Sequence, residues 1–159
     1  MRRIHKPGTK ASTQKAEAMK NAEFHDAPPL MQTVWRTAFE VGHAGIDRQR
    51  QRLCSLCNLL TNAVQTRQSD ATVEYLLDEL IDNVDLHFIT KEAVLKSQDT
   101  DLLKGITDKH RALLARLREM RTSIHLGRLQ ANDLAEFVFY DVIAKHAING
   151  DMRVSRAVA

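Results

Sequence analysis

From Val73 to Leu95 the chain places Val73, Leu76, Leu77, Leu80, Val84, His87, Lys91 and Leu95 at the three-and-four spacing of a single helix face. At His87 and Lys91 a face that is otherwise apolar carries polar groups. Such groups are costly to bury unless a hydrogen bond, an opposite charge or a metal meets them. This stretch therefore predicts a helix packed along its length against others, with something to satisfy its polar positions.

Three further stretches share that period. Ile46, Arg50, Leu53, Cys57, Leu60 and Val64 form a stripe in a helix expected from about Ile46 or Asp47 to Arg67, again broken by a polar residue, Arg50. Ser69 or Asp70 caps the next helix, which runs to about Ser97. After Asp99-Thr100-Asp101 come Leu103, Ile106, His110, Leu113, Leu117, Met120 and Ile124, with a stop at Gly127. A last helix opens at Asn132 or Asp133, where Asp133 and Glu136 have capping-box spacing, and carries Leu134, Phe137, Val138, Val142 and His146 before Gly150. Four helices with short connections predict an all-α, antiparallel up-down-up-down four-helix bundle. The composition agrees, with only 6 glycines and 3 prolines among 159 residues.

Residues 1–33 read as a basic, extended or disordered N-terminal arm and residues 34–159 as the bundle. Ala27-Pro28-Pro29 breaks any preceding helix, and Trp35, Phe39 and Val41 form a loosely coiled lead-in to a loop at Gly42-His43-Ala44-Gly45. The formal net charge of +3 comes largely from the arm. No aromatic residues are interleaved with its cations, so a nucleic-acid partner is not expected. No apolar run reaches the roughly 18 residues of a membrane span and the start has no apolar leader, so the expectation is a cytoplasmic protein away from membranes. Cys54 and Cys57 lie within a helix and lack a second pair for zinc, which makes them core residues.

In an antiparallel bundle the starts of the first and third helices share an end with the finishes of the second and fourth. Arg50, His87, Lys91, Ile106, His110, His146 and Asp151 all fall there. Three imidazoles with a nearby carboxylate suit zinc or iron. Trp35-x-x-x-Phe39-x-Val41-Gly42, Ile46-Asp47-x-Gln49, His87-Phe88-x-x-x-Glu92, His110 and His146-x-x-x-x-Asp151 together resemble the bacterial hemerythrin family from about Trp35 onward. That resemblance implies a four-helix bundle whose two irons, held by five histidines and two bridging carboxylates, bind dioxygen reversibly. Carried over by position, it makes His87, His110, His146 and Asp151 metal ligands.

Three further ligand positions differ: Arg50 and Ile106 stand where the family has histidines, and Lys91 where it has a bridging glutamate, the next glutamate being kept as Glu92. Two cations in those places oppose a two-iron centre. Asp151, Asp47 or Glu92 would pair with them, or both side chains would reach out to solvent. The expectation is one iron or zinc ion on His87, His110, His146 and Asp151, in a binding or sensing role and not as an enzyme, with a small diatomic ligand or a signalling protein as further partner. A metal-free interaction module is the first competing reading, and an iron site handling oxygen, nitric oxide or peroxide the second. His43 in its loop is a weaker candidate, and His5, His25 and His125 lie away from the site.

Overall fold

The computed structural model describes residues 32–97 and 100–150, the side chains of 148–150 excepted. These residues form four helices and no strand. Residues 1–31 of the N-terminal arm and Asp151 lie outside them. A short 3-10 turn, Thr37–Phe39, precedes α1, Ala44–Gln65. Then come α2, Asp70–Lys96, and α3, Thr100–His125. The fourth helix begins as α4, Ala131–Phe137, and continues without a break as a π-helical segment, Val138–Gly150.

Local chemistry sets most boundaries. The His43 ring accepts from Ile46 N–H at 3.3 Å and caps α1, so the helix takes in Ala44 and Gly45 and the loop before it is shorter than the sequence suggests. Ser69 caps α2 through Thr72 N–H, as its side-chain type predicts. Past α3, Gly127 takes a left-handed φ of +64°, and Arg128 N–H reaches back to Ser123 O at 2.8 Å, the closing turn that glycine favours. The fourth helix departs from expectation at its start. Gln130 is the capping residue, without a side-chain hydrogen bond, so the Asp133–Glu136 pair lies inside the first turns and does not open the helix.

The apolar core is continuous through all four helices. Leu53, Leu60, Leu77, Leu80, Leu117, Leu134 and Val138 are its most enclosed members. A smaller cluster, Val41, Ile46 and Leu95, closes the polar end, with Leu102, Leu103 and Ile106 packed against it. Cys54 and Cys57 are both buried. Burial pushes the Cys54 thiol up to about 11 and the Cys57 thiol well above its ordinary value, so both are inert core groups at neutral pH.

Two features position the site. Along the fourth helix, Leu134, Val138, Val142 and Ala147 are buried at steps of four, four and five, wider than an α-helical stripe and suited to i→i+5 winding. The expected stripe through Phe137 and His146 is thereby turned: Ala147 enters the core, while Phe137 and His146 are half-buried. The second feature is a cleft of about 720 Å³ between α3 and the fourth helix.

Candidate metal centre

Arg50 emerges from α1 into the core with no exposed surface. Its Nε donates to Ala147 O at 2.9 Å, and Nη2 donates to the same carbonyl. Nη1 donates to Phe39 O and lies 3.3 Å from Asp47 Oδ1. The guanidinium carbon sits 5.2 Å from the Trp35 ring centroid, within cation–π range. Asp47 in turn accepts from Val41 N–H at 2.9 Å and Gly42 N–H at 3.1 Å, holding the left-handed turn at Gly42, φ +86°. One guanidinium thus joins the lead-in, α1 and the fourth helix. Asp47 is the carboxylate beside it, one of the partners the sequence offered, and reach to solvent is excluded.

Lys91 is also enclosed, at 1% exposure, and does not reach out along the bundle end. It lines the cleft together with Ile106 and His146. Glu92, a candidate partner for the two cations, turns to a histidine: its Oε1 lies 2.7 Å from His110 Nδ1.

The three sequence-predicted histidines come from α2, α3 and the fourth helix. His87 and His110 are buried. The His87 Nδ1 lies 3.4 Å from Gln49 Oε1, and Gln49 is itself fixed by donating through Nε2 to Thr90 Oγ1 at 2.9 Å. His110 stacks face to face on Phe88 with centroids 3.8 Å apart and planes 2° from parallel. His146 meets both rings edge-on, 4.8 Å from Phe88 and 5.1 Å from His110. His87 lies 6.0 Å from Phe88, its ring tilted by 47°. The structure therefore brings His110 and His146 into one aromatic cluster with Phe88, while His87 belongs to the α1–α2 seam. Among the described residues no three His, Cys, Asp or Glu side chains converge closely enough to hold a metal ion as they stand.

His43 serves as a helix cap. His125 pairs with Glu74 at the far end of α3, at 3.2 Å. Sequence reasoning did not assign Gln49 a role, nor Phe88 its place among the rings. A signal existed for each: Gln49 adjoins Arg50 on the flank of an inward stripe, and Phe88 is the apolar neighbour of an inward histidine.

Among the described residues no helix is long and apolar enough to cross a membrane. Comparison with known proteins gives two matches. Residues 41–148 match the hemerythrin HHE cation binding domain. A bacteriohemerythrin of Pseudomonas paraeruginosa is 26% identical over 101 residues, covering 64% of this chain and 65% of that relative. No solved structure matches the chain. With a domain match spanning more than half its length, carried on a helical bundle with inward histidines, the chain belongs to the hemerythrin family.

Proposed function

We propose that the chain is a metal-binding hemerythrin homologue with a reduced site, holding one iron or zinc ion through His110 and His146, with His87 and Asp151 completing the ligand set. The observation that carries this reading is the tethering of Nδ1 on His87 and His110 by side-chain oxygens, from Gln49 and Glu92. A metal-bound histidine typically donates its other ring N–H to such an oxygen, which fixes the tautomer and strengthens the ligand. Nε2 then carries the lone pair, and the Nε2 atoms of His110 and His146 are both buried. Neutral imidazole and carboxylate are suited to either metal. The matched family is described as cation-binding, and the relative is named a bacteriohemerythrin, which supports the same reading.

When bound, the ion would supply a Lewis acid or, as iron, a redox centre open to a small diatomic ligand. The protein's own part is to hold two imidazoles 5.1 Å apart, edge to face, with their Nε2 atoms buried. Oxygen carriage by two irons does not fit, because Arg50, Lys91 and Ile106 replace three ligands and two of them bring positive charge. The role is binding or sensing.

A metal-free interaction module is the second reading, favoured by the absence of a converged three-ligand group among the described residues. Metal content per chain decides between them. The expected result is about one equivalent of iron or zinc, a rise in melting temperature when that metal is added, and loss of both in His110→Ala. A content near zero with no thermal shift supports the module. A content near two overturns the account of Arg50 and Lys91.

A further inference from the structure

The surface of α2 that faces away from the core carries a second ordered stripe. Glu79, Asp82, Leu86, Ile89, Ala93 and Lys96 follow one another at steps of three, four, three, four and three, the spacing by which one helix pairs with another. They lie about two residues, or about 200° of turn, past the buried positions of the same helix. Glu79 has 38% of its side chain exposed and the other five residues are exposed outright, Leu86 at 53% and Ile89 at 62%. A lone exposed leucine is ordinary, but these two adjoin on one face and form a bare apolar centre. In its apolar residues α2 is also the least one-sided of the three long helices. A helix that is apolar on two faces is stable in water when both are covered.

The stripe is symmetric about the point midway between Leu86 and Ile89. Reversed and laid on a second copy of itself, it sets Leu86 against Ile89, Asp82 against Ala93 and Glu79 against Lys96, each contact made twice about a two-fold axis. Four aliphatic side chains then fill the centre, and each Lys96 enters between the Glu79 and Asp82 carboxylates of the facing helix. Among the described residues neither Asp82 nor Lys96 has an ion pair within its own chain, whereas the flanking Asp78 and Asp85 are already held by Arg121 and Arg118 of α3. Arg52 lies 3.7 Å from Glu79, a loose and exposed contact. A parallel pairing would set Glu79, Asp82 and Lys96 each against its own copy, like charge on like, so charge selects the antiparallel arrangement.

We propose that the outer face of α2 binds a second copy of this chain, as an antiparallel two-fold helix pair centred on Leu86 and Ile89 and closed at each end by Lys96. The stripe is about 26 Å long and one helix wide, less than a standard protein interface, so the dimer is weak and reversible. Burial of Leu86 and Ile89 supplies the attraction, and the charges fix direction and register. No metal or imidazole takes part, so the inference is independent of the metal site.

Sedimentation equilibrium of the full chain tests it. The parent should dimerise with a dissociation constant of about 100 µM, seen across loadings from about 10 µM to about 1 mM. L86S/I89S removes the apolar centre at exposed positions and should stay monomeric at every loading, with a melting temperature close to the parent's. K96E alone, and E79K/D82K alone, should each dimerise about tenfold more weakly, because like charges meet at both ends. Mixed in equal amounts, the two should recover the parent's affinity, since every reversed charge then faces an opposite one. A parent that stays monomeric overturns the proposal and leaves the face to a protein of another sequence. Dimerisation at parental strength in L86S/I89S or in either reversal variant overturns it too, as does a mixture that associates no more strongly than its components.

Discussion

Two corners of the same bundle end solve the problem of buried polar groups in opposite ways. At the Arg50 corner the guanidinium meets two backbone carbonyls, a carboxylate and an indole face, so every element around it is tied to every other. At the His110–His146 corner the rings are stacked and edge-packed like an aromatic core, with one ring nitrogen tethered to Glu92 and a cleft along their flank. The first corner is structure. Its charge is absorbed by groups that cannot leave, whereas the second holds basic nitrogens in rings whose packing would survive the loss of their polarity. A single fold can therefore close one corner with a hydrogen-bonded cation and hold imidazoles in an aromatic cluster at the other.

The comparison is broken most directly at Arg50. Replacement by Met keeps an unbranched apolar stem but removes the guanidinium from Phe39 O, Ala147 O and the Asp47 carboxylate. A loss of about 3–5 kcal/mol in urea unfolding is expected, the cost of breaking a buried ion pair by removing one partner. A loss below 1 kcal/mol would mean that the guanidinium does not carry the junction.

His110→Phe supplies the contrast. A phenyl ring preserves the stack on Phe88 and the edge contact with His146, and volume-conserving core changes usually cost less than about 1.5 kcal/mol. The same unfolding measurement should place this variant well above Arg50→Met in stability. If the two fall together, the second corner is as closed as the first.

The smallest effect sharpens the boundary between the corners. Cys54 sits one turn beyond Arg50; burial raises its thiol to about 11, and the Arg50 charge works against that rise. Raised pKa means that the folded state holds the proton more tightly than the unfolded state, whose ordinary value is 9.0. The resulting stability is complete below about 9 and disappears as pH climbs through about 11. Native protein should accordingly resist alkylation by iodoacetamide at pH 8. In folded Arg50→Met the thiolate absorbance of Cys54 at about 240 nm should rise at higher pH than in the parent, because the favourable cation has gone.

Much of the bundle is legible in the chain. The inward stripes of the first two helices, from Ile46 to Val64 and from Val73 to Leu95, are buried as their spacing requires, Arg50, His87 and Lys91 included and half-buried Leu76 excepted. Reading fails where the period changes. The fourth helix carries Leu134, Val138 and Val142 at steps that an α-helix also allows, and only Ala147 reveals the wider winding, a small residue where His146 seemed the natural continuation. The partners of buried polar groups were legible in part. A carboxylate beside Arg50 follows from charge, but the carbonyls of Phe39 and Ala147 carry no side-chain signature, and Glu92 had two inward cations and a histidine to choose among. Periodicity tells which way a side chain points, and not what it meets.

The bond from Arg50 to Ala147 spans 97 positions of the chain. A contact so distant in sequence closes a long loop and is expected to form late in assembly, after the local helix pairs have met. An interaction absent from the folding transition state acts almost wholly on the rate of unfolding. The buried arginine is in that sense a latch: it does little to hasten the approach of the fourth helix and much to delay its departure, so the lifetime of the closed bundle, more than its speed of formation, is set by one side chain of α1.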